Sequence, residues 1–409
     1  MRKPKSIPGV EIRERRRRNG QVYYRYRVRY INGAGVRDEE EFDTPQEAKD
    51  FKAKLRLAKR SGVLRELGAG KETLGEFMAD YWRLYAKRHL ARVTRRKNRG
   101  MWNKHILPRL GPKQLRQITP MVLCEYIAEL EDAGVSASQM RSILGMLQSM
   151  FARAVEWGRA TINPVKQIKK PAAPRQRAVQ PLAPVVIERI RAAMLRADPV
   201  RGLRDATIVS LGGYTGMRPE EILALEVPHI RQATALIEQK VSLGEVLTGQ
   251  KTSRPPRTAQ LFSVVRSDVR AYQLAFCIRE GLLFTIEGEP WSQTAWNNWR
   301  KRVWQPACVA AGVGRIELVK GTDGKMRRLY RGPVPYDLRH SHASLLLHEG
   351  KRSPVEIADS LGHSVDTLFR VYSHVVAELS GRPRVPAEQV IAEARQVVTD
   401  EAKRLARAA

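Results

Sequence analysis

From Val22 to Tyr30 the chain alternates without a break. Val22, Tyr24, Tyr26, Val28 and Tyr30 fall on one side, and Tyr23, Arg25, Arg27 and Arg29 on the other. A period of two is satisfied by a half-buried strand and by no helix. Asn19-Gly20 just before it is a hairpin signal, which makes Val10–Arg17 the partner strand. Asn32-Gly33-Ala34-Gly35 supplies a second turn and Val36–Phe42 a third strand. Thr44-Pro45-Gln46-Glu47 then reads as an N-cap, a proline at the first helical position and a capping-box glutamate. Ala48, Phe51, Leu55 and Ala58 form the apolar stripe of the helix that follows. Residues 1–65 are therefore expected to form three strands and a helix. The face with Arg25, Arg27 and Arg29 has no carboxylate among its own residues, and such a face can lie in a DNA groove. Alternation also leaves a polar side on any half-buried strand, so a plain solvated face fits the same pattern.

The rest of the chain reads differently. Residues 70–170 have helical periodicity and no strand signal. Thr73 and Glu76 open a capped helix that offers Phe77, Tyr81, Leu84 and Tyr85 to a core, and a long helix runs from about Ser136 to Trp157 with Gly158 beyond its end. Arg92, Arg95, Arg96, Lys97, Arg99 and Lys104 cluster around the helix between them. A run of this kind can be a solvated face or a set of phosphate contacts. Lys169 and Lys170 lead into 171–184, where Pro171, Pro174, Pro181 and Pro184 mark an extended linker suited to following a phosphate backbone. Mostly helical pattern resumes over 185–385, and 386–409 is a helical tail with Val390, Ala394, Val397 and Val398 on one side.

Charge bounds the partner. The 409 residues carry 73 Lys and Arg against 42 Asp and Glu, for a net +31. Residues 1–70, 71–178 and 179–409 contribute +9, +13 and +9, so the excess belongs to every segment. Solubility does not require so much charge. Several basic modules meeting one polyanion do, and nucleic acid is the expected ligand. An apolar fraction of 43% is enough for real cores. No stretch is apolar enough to span a bilayer, and the basic N-terminus is not followed by the apolar core of a secretory signal. Cys124, Cys277 and Cys308 have neither metal-ligand nor disulfide spacing, which suits a reducing, cytoplasmic setting on the nucleoid.

The chemistry-bearing residues lie in the last two hundred. Thr215-Gly216-Met217-Arg218-Pro219-Glu220-Glu221 comes first. A strand pair, Ala235–Lys240 with Thr258–Leu261, brackets Gln250-Lys251-Thr252-Ser253. Tyr336-Asp337-Leu338-Arg339-His340, Leu361-Gly362-His363 and Arg370-Val371-Tyr372 follow. Each alone has an ordinary reading: a surface helix pair, a solvated lysine, a helix-end histidine, a core tyrosine. There is no glycine-rich nucleotide loop, no His-Glu-x-x-His and no acidic metal cluster in the sequence. Together the residues suit metal-free phosphodiester transfer. Arginines would hold the non-bridging oxygens, a lysine would protonate the leaving oxygen, and a tyrosine would attack phosphorus.

In order and spacing this set resembles the tyrosine recombinase, or phage integrase, family. That family's motifs are an Arg with an acidic residue three later, a hairpin Lys, a His-x-x-Arg-His stretch, a Leu-Gly-His, and a Tyr nine residues on. Here Arg218 with Glu221, Lys251, Arg339-His340, Leu361-Gly362-His363 and Tyr372 match. Residues 70–170 resemble the family's core-site-binding domain, and 1–65 its arm-site-binding domain. The resemblance implies a multidomain, mainly α chain with small β elements and a mixed α/β, mostly α, catalytic domain. It implies catalytic roles for Arg218, Lys251, Tyr336, Arg339, His363 and the nucleophile Tyr372, supported by Glu221 and His340. It further implies site-specific strand exchange through a 3′-phosphotyrosyl link, with no metal or nucleotide cofactor. The working form would be a homotetramer on double-stranded attachment sites, with an excisionase-like directionality factor and a host DNA-bending protein as accessory partners. The tail would dock on a neighbouring protomer or on its own domain. A type IB topoisomerase and a DNA-binding regulator with a silent active site are the alternatives. The departure is Tyr336, which stands where the family places the first histidine. A phenol titrating near 10 is a poor base at neutral pH, so Tyr336 is expected to hydrogen-bond the phosphate or the nucleophile.

Overall fold

The computed structural model describes residues 4–31, 35, 37–62, 69–172, 181–249, 256–321, 324–378 and 385–408. The chain divides into two compact units, Met1–Gln176 and Arg177–Ala409.

In the first unit β1 (Glu11–Arg16), β2 (Val22–Ile31) and β3 (Arg37–Phe42) form an antiparallel sheet with β2 in the middle. Helix α1 (Pro45–Arg60) starts at Thr44, whose hydroxyl accepts from the Glu47 amide, while the Glu47 carboxylate accepts from the Thr44 amide. This is the reciprocal cap that the sequence announces. The inner side of β2 buries Tyr26 and Val28 against Ala48, with Phe51 packed edge-on to Tyr30.

The outer side of β2 differs from the expectation. Antiparallel register sets Glu41 and Glu11 on either side of Arg27, and Glu39 beside Arg29. Arg27 contacts Glu41 at 2.6 Å and Glu39 at 3.0 Å, Arg29 contacts Glu11 at 3.1 Å, and Arg25 contacts Asp43 at 2.8 Å. The carboxylates missing from β2 itself arrive from its neighbours, so the arginine face is a ladder of ion pairs.

The helical part of this unit contains α2 (Leu74–Asp80), α3 (Arg92–Met101), α4 (Pro120–Asp132) and α5 (Ala137–Glu156). Thr73, Thr119 and Ser136 cap α2, α4 and α5 through their hydroxyls. Phe77, Tyr81, Ile106, Leu123, Leu144 and Phe151 are fully buried, whereas Leu84 turns outward at 37% exposure. On α3, Arg95 donates to the Lys87 carbonyl, Lys97 reaches Ser142, and Arg99 lies over the Trp82 ring at 4.4 Å. The ion pairs of this region are elsewhere, at Arg83–Asp80, Arg109–Glu129 and Arg153–Glu156 and at Arg159 with Glu72 and Asp80. Among the described residues Arg95, Arg96, Lys97, Arg99 and Lys104 are held without a carboxylate.

The second unit is organised on α7 (Arg201–Thr215), buried from Asp205 to Thr215. Around it pack α6 (Pro184–Ala197), α9 (Ser263–Ala275) and α10 (Asp337–Glu349), with α8 (Pro219–Ile222), α11 (Pro354–Leu361), α12 (Val365–Glu378) and α13 (Ala387–Ala408) completing the main helices. The expected strand pair is present as β4 (Thr234–Ile237) with β7 (Arg257–Gln260), Ala235 opposite Ala259. Between them the chain forms a second hairpin, β5 (Gln239–Ser242) with β6 (Glu245–Thr248), which carries Lys240. A further hairpin joins β8 (Arg315–Lys320) to β9 (Met326–Arg331).

The tail helix α13 packs on its own unit, with Ala387 and Ile391 fully buried. A buried network fixes it. Arg395 contacts Asp268 at 2.6 Å and Glu188 at 3.3 Å, Arg191 contacts Asp268 at 2.7 Å and also pairs with Glu188, and Tyr214 donates to Glu188 at 2.7 Å. Two guanidiniums face two carboxylates, so the charges cancel.

Candidate active site

The site forms where the C-terminal ends of α7 and α11 meet the N-terminal turn of α10. Helix α7 stops at Gly216, whose φ of +66° is left-handed, and a Cβ there would lie 2.5 Å from Leu361 and 2.6 Å from His342. Helix α11 stops the same way at Gly362, with φ +68°, and a Cβ there would lie 2.8 Å from Arg257 Nε. Both positions require glycine. Each stop leaves carbonyls that arginines collect. Arg339, 3% exposed, donates from Nη1 to the Gly216 carbonyl at 2.5 Å and from Nη2 to that of Leu361. Arg218 donates from Nη2 to the Gly362 carbonyl at 3.2 Å. A guanidinium has five donors, so these contacts aim the arginines without exhausting them.

The three-residue spacing from Arg218 to Glu221 has a local cause. Arg218 caps α8, Pro219 opens it, and Glu221 reaches back to accept from the Arg218 amide at 2.8 Å and from its guanidinium at 2.8 Å. The other oxygen of Glu221 accepts from Arg257 at 2.6 Å. Arg257 was not among the residues expected from sequence. It belongs to β7, its Nε and Nη1 are buried without a partner, and burial together with Arg339 and Arg218 pushes its guanidinium down to about 10. Burial, then the Arg218 charge, also lowers Arg339. Burial opposes the charge of Arg218, but the Glu221 carboxylate outweighs it and raises the group. Two guanidiniums therefore share one carboxylate while a third, Arg339, is held beside them by backbone carbonyls, an arrangement that favours a bound anion.

Tyr372, on α12, is 3% exposed, and burial drives its phenol well above the ordinary range although Arg339 pulls the other way. Its hydroxyl lies 2.6 Å from His340 Nδ1. This is the contact considered for Tyr336, and the structure gives it to His340 instead. Tyr336 caps the start of α10, is 42% exposed, and meets His340 edge-on at 5.2 Å. One turn further along, residue 340 faces α12. His363 follows Gly362 directly, with its amide donating to the Ala358 carbonyl. Lys251 lies outside the described residues. Among the described residues no group of His, Cys, Asp and Glu is arranged to hold a metal ion, and no helix is long and apolar enough to cross a membrane. In the first unit, Lys170 is held by Gln148 at 2.5 Å and Lys169 is exposed.

Residues 73–130 match the family model described as the phage integrase N-terminal SAM-like domain. The chain is 26% identical to tyrosine recombinase XerD of Caulobacter vibrioides over 267 residues, 62% of this chain and 76% of the relative. It is 22% identical to XerD of Staphylococcus aureus over 269 residues, 63% and 79% of the two chains. Among solved structures, the Tn1549 transposon integrase in complex with transposon right-end DNA superposes with a TM-score of 0.59 at 16% identity, covering 76% of this chain and 97% of that one. A lambda integrase dimer bound to a COC′ core site gives 0.55 at 19% identity, covering 94% and 99%. The fold of this chain, mainly helical and multidomain with an N-terminal three-stranded sheet and small hairpins, matches these integrase structures over the parts they cover. In sequence and in fold the chain is similar to tyrosine recombinases.

Proposed function

We propose that this protein is a metal-independent, site-specific DNA recombinase that integrates and excises a phage or other mobile element. The observation that carries the reading is a buried tyrosine hydroxyl, hydrogen-bonded to an imidazole, together with three guanidiniums, two on the Glu221 carboxylate and one on backbone carbonyls. Arg218 and Arg339 hold the non-bridging oxygens of the scissile phosphate and stabilise the charge that grows as phosphorus becomes pentacoordinate. His363 adds a donor. Glu221 sets the angle of Arg218, and Arg257 holds Glu221. Lys251 protonates the departing 5′-oxygen. Tyr372 forms the 3′-phosphotyrosyl link, which conserves the bond energy until a 5′-hydroxyl from the partner duplex reverses the step.

Two exchanges through a four-way junction complete the reaction, carried out by four protomers on two duplexes in the cytoplasm. A directionality factor and a DNA-bending protein bias its outcome. Residues 1–65 bind arm sites, 70–170 bind core sites with 171–184 following the backbone between them, and 185–385 cut and rejoin. On the DNA-binding face, the carboxylate-free residues Arg95, Arg96, Lys97, Arg99 and Lys104 supply more phosphate contacts than the paired Arg25, Arg27 and Arg29.

A covalent trap tests this reading. The protein is incubated with fragmented source-genome DNA in EDTA, quenched with SDS, and the attached DNA is sequenced beside a Tyr372→Phe control. Adducts at one or two sites that vanish in the control are expected. Scattered adducts would indicate a topoisomerase. Tight binding without any adduct would indicate a DNA-binding regulator.

A further inference from the structure

We propose that His340 is the base that removes the proton from Tyr372, having taken over from residue 336 one helical turn away. The inference rests on the recombinase reading and adds to it the identity of the proton acceptor. Residues 336 and 340 are four apart at the start of α10, so they stand one above the other on the same side of the helix. The 5.2 Å ring contact between them shows that they do. A histidine at 336 would present its imidazole from the end of the helix. Here that position holds a phenol, and the imidazole stands one turn further in, with Nδ1 2.6 Å from the nucleophilic oxygen. That distance is within the reach a general base needs.

The surroundings suit the task. The titratable and charged groups around His340 are Tyr336, Asp337 and Arg339 on its own helix and Tyr372 on α12. Burial, opposed by Asp337 and reinforced by Arg339, holds the imidazole below its usual range, which favours the neutral ring, and its Nε2–H tautomer accepts at Nδ1. The buried Tyr372 phenol, raised by the same kind of desolvation, does not ionise unaided at that pH. In the forward step Tyr372 Oη bonds to phosphorus and its proton passes to His340 Nδ1. The phosphorus–O5′ bond breaks, and O5′ takes a proton from the acid assigned above to Lys251. Rejoining reverses each transfer: the attacking 5′-hydroxyl returns its proton to the lysine, and the imidazolium returns its own to Tyr372. Tyr336 acts only as a neighbour of the imidazole.

The test uses the full-length protein and a nicked synthetic duplex carrying the sequence recovered from the covalent trap. Rates of adduct formation are measured from pH 5 to 9 for wild type, His340→Gln, Tyr336→His and the double variant. His340→Gln is expected to bind the duplex as wild type does and to cleave about 100-fold more slowly. It should also lose the acidic fall in rate that marks protonation of the base. The double variant should recover most of the rate. Its acidic fall should move to higher pH, because residue 336 is the more exposed position and its imidazole would titrate nearer 6.5. Tyr336→His alone serves as the reference for the double variant. A His340→Gln protein with the wild-type rate and pH profile would overturn the proposal. So would one that is slow but keeps the acidic fall and is not rescued at 336, since that pattern marks a packing role. A wild-type protein that forms no adduct would remove the recombinase reading itself, which separates that failure from this one.

Discussion

Two buried arginine clusters in the second unit use the same side chains to different ends. Under the tail helix, Arg191 and Arg395 meet Glu188 and Asp268, two against two. At the glycine corners of α7 and α11, Arg218 and Arg257 meet Glu221 alone, and Arg339 is held beside them by backbone carbonyls. The first cluster is complete, and its energetic role is to hold α6, α9 and α13 together without leaving a charge uncompensated. The second has a surplus of donors and of positive charge, including two unpartnered Arg257 nitrogens. That surplus is unfavourable until an anion fills the site, and the desolvated surroundings strengthen the attraction when one does. The difference separates an arginine cluster that builds the fold from one that serves chemistry, and counting arginines along the sequence does not make it.

Substitutions can break this comparison, and the largest effect is expected in the surplus cluster. Arg339→Ala should slow adduct formation by about 10³-fold while the protein stays folded by circular dichroism, because it removes a transition-state contact. Next, Asp268→Ala should lower unfolding free energy by about 3 kcal/mol, read from urea midpoints, by leaving Arg191 and Arg395 uncompensated. Its residual folded fraction should still cleave. Arg257→Met sharpens the contrast further. It relieves repulsion and two unsatisfied donors, so stability should hold or rise, while adduct formation falls by about tenfold as Glu221 loses its second partner. The smallest effect belongs to the β2 ladder. Arg27→Ala should change stability by less than about 1 kcal/mol and barely alter the salt dependence of DNA binding, since its charge is already matched. Arg96→Ala on α3 should instead reduce the slope of log affinity against log salt by about one.

What was legible in the sequence follows the range of the interactions. The cap at Thr44, the long helix from Ser136, the Arg218–Glu221 spacing and the pairing of Ala235 with the strand after residue 256 are read correctly, because each depends on local pattern or ordered motifs. The ion pairs of the β2 arginines were not legible because Glu11, Glu39 and Glu41 join them only through cross-strand register. Arg257 had a signal: it immediately precedes the expected strand Thr258–Leu261 and opens that strand in the structure, where it faces Glu221 and Gly362. Nothing local marks an arginine on a strand as buried, and its partner lies 36 residues away. The tail's place on its own unit depends on Arg395 meeting Asp268 across 127 residues, which no periodicity in α13 could reveal. The contact of His340 with Tyr372 became visible only when α12 set Tyr372 against one turn of α10 and not the other.

The central claim is that Tyr372 becomes covalently bound to a DNA phosphate. Peptide mapping of the trapped, nuclease-trimmed adduct tests it directly. The account predicts a nucleotide phosphate mass on the tryptic peptide spanning 371–384, fragmenting to a modified Tyr372. A modification on any other residue, or an unmodified peptide in a sample that has cut DNA, would contradict it.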